Sequence, residues 1–248
     1  MNFNLFLLGA LVAATVAPVV IYTLSATQSS RPGEIEVSVS QTKSEQTMKN
    51  PLASLAPLEH LKNSNDCSGC DLAGVTLRDQ DLSRANFSQA NLGQADFSQT
   101  QLVNTIFYQA RLSGAQLVEV NATGADFDET NLSRANLTRS QMMHISLIQA
   151  NLDQAILSDV ELREAALNKA TLKQANLTNA SLYGAILREA DLAGANLQGA
   201  DLRYTDLTDA NFAGANLAGV QLEGAILPDG SNYSGSDDIL ILSGDNQL

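Results

Sequence analysis

A leucine or another apolar residue recurs at every fifth position over most of the chain, without one slip in register. The stretch "ANLQGADLRYTDLTDANFAGANLAG", residues 195–219, carries Leu197, Leu202, Leu207, Phe212 and Leu217 in this spacing. From residue 72 to residue 227 there are 32 such centres, of which 25 are Leu and five are Phe, and Ala stands two residues before 20 of them. An unbroken period of this length constrains the fold more than any other feature of the sequence.

The five-residue period fits neither of the ordinary secondary structures. In an α-helix, five residues advance a side chain by roughly 140°, which would scatter the leucines around the helix. In a β-strand, successive leucines would point to opposite faces. If each Ala and Leu instead points inward, the chain must turn after every repeat, and four right-angle turns close a square coil. The 32 repeats then stack as about eight coils around an axis filled with leucine.

Units of the form Ala-(Asn/Asp)-Leu-X-X, as in "ANLGQADFSQ" and "ADLAGANLQGADL", resemble the pentapeptide-repeat family. The resemblance covers residues 70–229, and "CSGCDLAGVTL" is similar to the N-terminal start of many cyanobacterial members. The resemblance implies an all-β fold, a right-handed quadrilateral β-helix. We therefore expect a solenoid of about eight coils, preceded by a short N-terminal capping helix and an N-terminal hydrophobic helix.

Residues 1–26 are predicted to form a transmembrane anchor or a signal segment. Residues 5–24 carry no charge and are long enough to cross a bilayer core. The uninterrupted run favours an uncleaved single-pass anchor, whereas Leu24-Ser25-Ala26 is an acceptable cleavage site for an exported protein. A buried helix of a soluble protein is the third alternative. The predicted location is the membrane, the periplasm or the thylakoid lumen.

The remaining chain divides into four segments by composition. Residues 27–50 are polar, contain Pro32-Gly33, lack an apolar period and predict a disordered linker. Residues 51–69 carry a leucine at every third position up to Leu61 and predict an N-terminal cap. Residues 70–229 form the repeat array. Residues 230–248 form a tail whose apolar patch, residues 239–242, could fold over the last coil.

A few positions depart from the repeat consensus, and most of them conserve volume. Val120 stands where Ala is usual and Ala122 where Leu is usual, so the inner residue grows where the centre shrinks. Gln80 is a polar residue at an inner position of the first coil, where water or a cap could satisfy it.

Cys67 and Cys70 form the one motif with reactive side chains. In an oxidising compartment, a disulfide between them could tie the cap to the first coil. Alternatively, Cys70 is simply a small buried residue at an Ala position. A redox or metal role is less well supported, because a zinc site needs three or four ligands and no βαβ pattern surrounds the motif. We expect no cofactor and no metal site.

Exposed apolar residues on two neighbouring sides of the coil mark a predicted interaction face. This face comprises Ile106, Tyr108, Ile148, Ile186, Tyr183 and Tyr204. Contiguous apolar patches on a soluble surface often bind partners, although isolated exposed apolar residues are common.

The formal net charge of −13 disfavours direct contact with nucleic-acid phosphates, which Lys and Arg normally neutralise. Two histidines, no paired nucleophile and base, and a filled interior disfavour an enzyme. We predict a non-enzymatic structural and protein-interaction module that works through its outer surface. The alternative implied by the resemblance is an acidic DNA mimic that binds a DNA-handling protein such as gyrase. The sequence identifies neither the partner protein nor the oligomeric state.

Overall fold

The computed structural model describes residues 55–235. The hydrophobic segment 5–24, the linker 27–50 and the apolar patch 239–242 lie outside these residues. No helix between residues 55 and 235 combines the length and the apolar character needed to cross a membrane.

Each repeat contributes one bridge residue, directly before its centre, to a parallel ladder. Every bridge residue pairs with the residue 20 positions further along, from Asp66–Asn86 at one end to Asp206–Ile226 at the other. Four repeats of five residues therefore complete one coil, and the coils lie directly above one another. This register confirms the predicted all-β, four-sided helix.

The ladder begins one repeat before the first leucine centre. Asp66 is already a bridge residue, and Cys67 occupies the centre position, where it is 1% exposed. Cysteine is a small apolar residue that packs readily in a protein interior. The array therefore extends to Cys67, ahead of residue 70, where the leucine period alone placed its start.

An Asn or Asp before a centre supports the turn that follows, as the repeat around Leu132 shows. The Ala135 N–H donates to the Leu132 carbonyl at 2.9 Å, which closes a four-residue turn. The Asn131 side-chain oxygen accepts the Ser133 N–H at 3.1 Å, and Arg134 has a φ of 58°. A positive φ at the second central residue is the requirement of a type II turn. Asn and Asp recur before the centre because their short side chains reach the backbone two residues on.

Backbone hydrogen bonds join each coil to both of its neighbours. In the same repeat, the Leu132 N–H donates to the Asn151 carbonyl at 2.7 Å, and the Arg134 N–H donates to the Asp153 carbonyl at 2.9 Å. The Asn131 N–H donates in the other direction, to the Ala110 carbonyl at 3.0 Å. A repeat in the middle of the stack thus donates twice toward the C-terminal end and once toward the N-terminal end.

The centres and the residues two positions before them fill the interior. Leu132 and the other mid-stack centres are fully buried. Near the N-terminal end four phenylalanines pack together, and the Phe107 and Phe127 ring centroids are 4.4 Å apart. Most polar inner residues bond to the backbone of the preceding coil, as Thr130 does by donating its hydroxyl to the Phe107 carbonyl at 2.8 Å. The burial of these side chains supplies the main driving force for folding.

A short helix, α1 (Leu55–Ser64), precedes the first coil. Pro57 lies in its first turn, where a missing N–H removes no helical hydrogen bond. Leu61 is 2% exposed and joins the core, and Leu58 packs beside it. Asn65 ends the helix with a φ of 55° and donates its N–H to the Leu61 carbonyl at 2.9 Å. Helix α1 thus packs against the N-terminal end of the core.

Candidate interaction surface

Three residues of each repeat point outward: the one before the centre and the two after it. Along the stack these residues form four faces. Faces A, B, C and D carry the centres Leu72, Leu77, Leu82 and Phe87, respectively, and every twentieth residue after each of them. Because the interior is filled with side chains, these faces are the surfaces on which the coils can meet another molecule.

The predicted apolar residues of face D lie on separate coils. Ile106 and Tyr108 stand on one coil and are 40% and 37% exposed, whereas Ile186, 42% exposed, stands four coils further along. Ile148 is only half-buried rather than exposed, and its N–H donates to the Asp128 carboxylate at 2.8 Å. Face D therefore carries two small apolar areas with a carboxylate between them, rather than one continuous patch.

Face C carries the closest aromatic contact on the outer surface. The ring centroids of Tyr183 and Tyr204 are 5.2 Å apart, and Tyr204 is 60% exposed. The Arg203 guanidinium carbon lies 5.6 Å from the Tyr183 ring centroid, within the range of a cation–π interaction. We call Tyr183, Arg203 and Tyr204 the tyrosine cluster.

Two neighbours hold the tyrosine cluster in place. Asp201 accepts two hydrogen bonds from Arg203, at 2.8 Å to Nε and 2.7 Å to Nη2. Gly224, with a φ of 73°, lies against the Tyr204 ring, and a Cβ there would lie 2.6 Å from the ring atom Cδ1. The glycine therefore permits the ring to rest on the next coil. Arg203 is fixed by its carboxylate, so the cluster presents its two rings in a defined arrangement.

Face B carries an exposed apolar residue and a shallow pocket that sequence reasoning missed. Ile156 is 41% exposed. The pocket, about 370 Å³, has a salt bridge at each side, Arg78–Asp96 at 3.2 Å and Arg139–Glu119 at 2.8 Å. The period gave no signal for it, because its charged residues come from four successive coils. Its charged groups already neutralise one another.

The structure joins the sulfur atoms of Cys67 and Cys70 in a disulfide, with the Cα atoms 5.2 Å apart. Cys67 is buried and Cys70 is half-buried. The Cys67 sulfur lies 3.6 Å from the Pro57 carbonyl oxygen. The bond therefore lies at the place where α1 meets the first coil. Within residues 55–235 no three His, Cys, Asp or Glu side chains come close enough to hold a metal ion.

Several acidic residues of the C-terminal coils are paired with cations. Hydrogen bonds from Arg203 hold the pKa of Asp201 below its usual range. Burial acts to raise the pKa of Asp206, but hydrogen bonds from Thr208 and Arg188 outweigh it and lower the pKa. These pairs leave parts of the acidic surface locally neutral.

The stacked coils and the filled interior define a β-solenoid repeat protein. The sequence profile of the pentapeptide repeats matches with eight copies between residues 66 and 227. The chain therefore belongs to the pentapeptide-repeat family. No curated protein matches the chain by sequence.

Three solved structures illustrate the similarity. HetL, a pentapeptide repeat protein involved in heterocyst differentiation regulation in the cyanobacterium Nostoc, is 28% identical, with 71% of this chain and 97% of HetL covered and a TM-score of 0.46. A thylakoid-lumen member from Arabidopsis thaliana is 28% identical over 51% of this chain and 71% of that one, with a TM-score of 0.30. A further Nostoc member is 38% identical over 38% of this chain and 78% of its own, with a TM-score of 0.35.

Proposed function

We propose that the chain is a non-enzymatic protein-interaction module that binds a partner protein through the tyrosine cluster on face C. Tyr and Arg are enriched among the residues that dominate the binding energy of protein interfaces. Tyr buries a large area with little loss of conformational entropy, and the guanidinium of Arg203 is already held by Asp201. The observation that carries the proposal is the 5.2 Å contact between Tyr183 and Tyr204, of which Tyr204 is 60% exposed. Ile106, Tyr108, Ile148 and Ile186 are a proposed extension of the interface around face D.

The surroundings of the tyrosine cluster favour a protein rather than a small molecule. The two rings lie on an outer face, where Tyr183 is 37% and Tyr204 is 60% exposed. Exposed aromatic rings on an outer face suit a protein interface, whereas small ligands generally need a concave pocket. The shallow pocket on face B has paired charges and lies away from the cluster, which favours a non-enzymatic role.

A photo-crosslinking experiment tests this proposal. The full chain is made in cells of its source organism with a benzophenone amino acid in place of Tyr204, and a matched variant carries it at Gln174 on the opposite face. We expect one adduct of defined mass from position 204 and none from position 174. The adduct should weaken when Tyr183 is replaced by Ser in the same chain. Equal crosslinking from both positions, or none from position 204, would contradict the proposal.

We further propose that the module lies outside the cytosol, held by residues 5–24 or exported. Two observations support this location: the uncharged run of residues 5–24 and the Cys67–Cys70 disulfide, a bond that persists mainly in oxidising compartments. The test is fractionation of a C-terminally tagged chain, with maleimide added before and after reduction of the denatured protein. We expect the membrane or exported fraction, and two maleimide adducts only after reduction. Recovery in the cytosol with free thiols would contradict the proposal.

The DNA-mimic alternative predicts that the protein inhibits gyrase. A DNA mimic presents rows of unpaired anionic groups, whereas Asp191, Asp201 and Asp206 are each bridged to a cation here. We therefore expect no inhibition of gyrase supercoiling at micromolar concentrations of the protein. Inhibition at these concentrations would favour the DNA-mimic function.

A further inference from the structure

Each coil before the last one, residues 210–229, uses a set of backbone N–H groups to donate to the coil that follows it. In the preceding coil the N–H groups of Leu192, Leu197 and Leu202 donate to carbonyls of the last coil at 2.8 to 2.9 Å. The corresponding donors of the last coil find no acceptor among residues 55–235. They are the N–H groups of Phe212, Gly214, Leu217, Gly219, Leu222 and Gly224. Such an edge can pair with a further strand.

The core is also less well covered at this end. Ala215 and Val220 are each 9% exposed and Leu217 is 6% exposed. In the preceding coil, Leu197 and Ala200 stand at the positions equivalent to Leu217 and Val220 and are fully buried. At the other end of the stack, α1 covers part of the core through Leu61. The C-terminal end has no corresponding element among the described residues.

The chain turns back toward this edge after its last repeat. The Gly230 N–H donates to the Leu227 carbonyl at 2.9 Å, and the Leu227 N–H donates to the Ser231 carbonyl at 2.7 Å. Asn232 then pairs with Ile226 in an antiparallel bridge. The Tyr233 N–H donates to the Ala225 carbonyl at 2.9 Å, and the Tyr233 side chain packs against the core. The reversed segment thus replaces the missing coil along face D.

We infer that the chain's own residues 236–248 cap the last coil, with residues 239–242 covering the exposed part of the core. The antiparallel pairing of Asn232 with Ile226 directs the chain, at Tyr233, toward Leu222 and Val220. Ile239 lies six positions after Tyr233, and an extended segment of six steps reaches about 20 Å. Along the coil, Val220 lies five positions before Ala225, the residue that Tyr233 contacts. A tail of six extended residues is therefore long enough to bring Ile239 and its neighbours to the exposed core.

The tail has an advantage over any other occupant of this end. Tyr233 already fixes its start beside the open edge, so the tail binds as an intramolecular partner at a millimolar effective concentration. The sequence Ile-Leu-Ile-Leu at 239–242 supplies an apolar segment with high strand propensity. A second copy of the chain would have to displace it.

Hydrogen exchange on the full chain tests the cap. The parent is compared with a chain ending at Gly235 and with a variant that has Ser at all four positions 239–242. A matched control carries Asp237→Asn and Asp238→Asn and keeps the apolar residues. We expect the amides of residues 212–224 to exchange at least tenfold faster in the first two variants and at the parental rate in the control.

Two further results from the same hydrogen-exchange data test the inference. Unchanged protection of residues 132–172 shows that the shortened chain is folded, and we expect it in every variant. If residues 212–224 exchange as fast in the parent as in the shortened chain, the tail does not cap the edge and the inference is wrong. It is also wrong if their protection in the parent rises with protein concentration, because a second copy then covers this end.

Discussion

Replacing glycine by alanine at two positions of face A should change stability in opposite directions. Gly93 is the first residue of its turn and has no positive φ, and a Cβ there would lie 3.6 Å or more from its neighbours. Gly114 is the second residue of the equivalent turn one coil later, with a φ of 67° and a nearest neighbour at 3.7 Å. Both sites have room for a methyl group, so the backbone conformation alone distinguishes them.

The expected magnitudes follow from the backbone. Alanine at position 93 restricts the unfolded chain without straining the folded one, and should stabilise the protein by about 0.4–1 kcal/mol. Alanine at position 114 gains the same restriction, but a left-handed conformation costs about 1–2 kcal/mol for a residue with a Cβ. Gly114→Ala should therefore destabilise by about 1 kcal/mol.

A third substitution adds a steric effect to the conformational one. Gly224 has a φ of 73°, and its new Cβ would approach the Tyr204 ring at 2.6 Å. Gly224→Ala should therefore cost more than Gly114→Ala, and it should also move the Tyr204 ring.

Urea denaturation followed by circular dichroism measures all three variants in the full chain. Gly93→Ala should raise the urea midpoint and Gly114→Ala should lower it, with Gly224→Ala lowest. The same shift for Gly93→Ala and Gly114→Ala would show that the turn conformation does not control stability, which would refute the reasoning.

Three other predictions use the same unfolding measurement. Asn131→Ala removes the side-chain bond to the turn and should cost about 1 kcal/mol, whereas Arg111→Ala, at the same position one coil earlier, should cost less; equal costs would contradict the turn-closing role. Leu152→Ala creates a cavity in the middle of the stack and should lower the free energy of unfolding by about 3–5 kcal/mol. Leu82→Ala should cost less, because Leu82 is only half-buried near the N-terminal end, and the reverse order would contradict the described core packing. The folded-state pKa of Asp201 is depressed, so its contribution to the free energy of unfolding is fully present above about pH 4 and is lost as the pH falls through the folded pKa. Asp201→Asn should therefore make the free energy of unfolding less sensitive to acid, and an unchanged dependence on pH would contradict this.

The five-residue period was sufficient to predict the coil, because each inward residue has one environment and that environment repeats. The size of the coil followed from closing four turns, and the bridges at intervals of 20 residues confirm it. The start of the array was missed by one repeat because Cys67 does not look like a leucine centre. Gln80 was expected to point inward, yet it is exposed and donates to the Arg78 carbonyl at 3.1 Å. At the open N-terminal end, the polar side chain can reach water and the backbone instead of the core.

The outer surface was harder to predict, because the period leaves outward residues unconstrained. The positions of Tyr183 and Tyr204 were predicted to lie on one side, but their contact and the support from Gly224 depend on side-chain directions. Ile148 was expected to be exposed, yet it is half-buried on a coil whose backbone bonds to Asp128. Exposure of an outward residue depends on its neighbours in the coils above and below, which lie 20 residues away in the sequence.

Distances between spin labels test the four-sided coil most directly. Labels carried on non-canonical amino acids at Gln149 and Asp209 stand on face D, three coils apart, and should lie about 14 Å apart at their backbones. Labels at Gln149 and Gln198 are closer in sequence but stand on opposite faces, so we expect the larger distance between them. A distance that simply increases with sequence separation, with the 149–209 pair further apart than the 149–198 pair, would contradict the coil on which every proposal here depends.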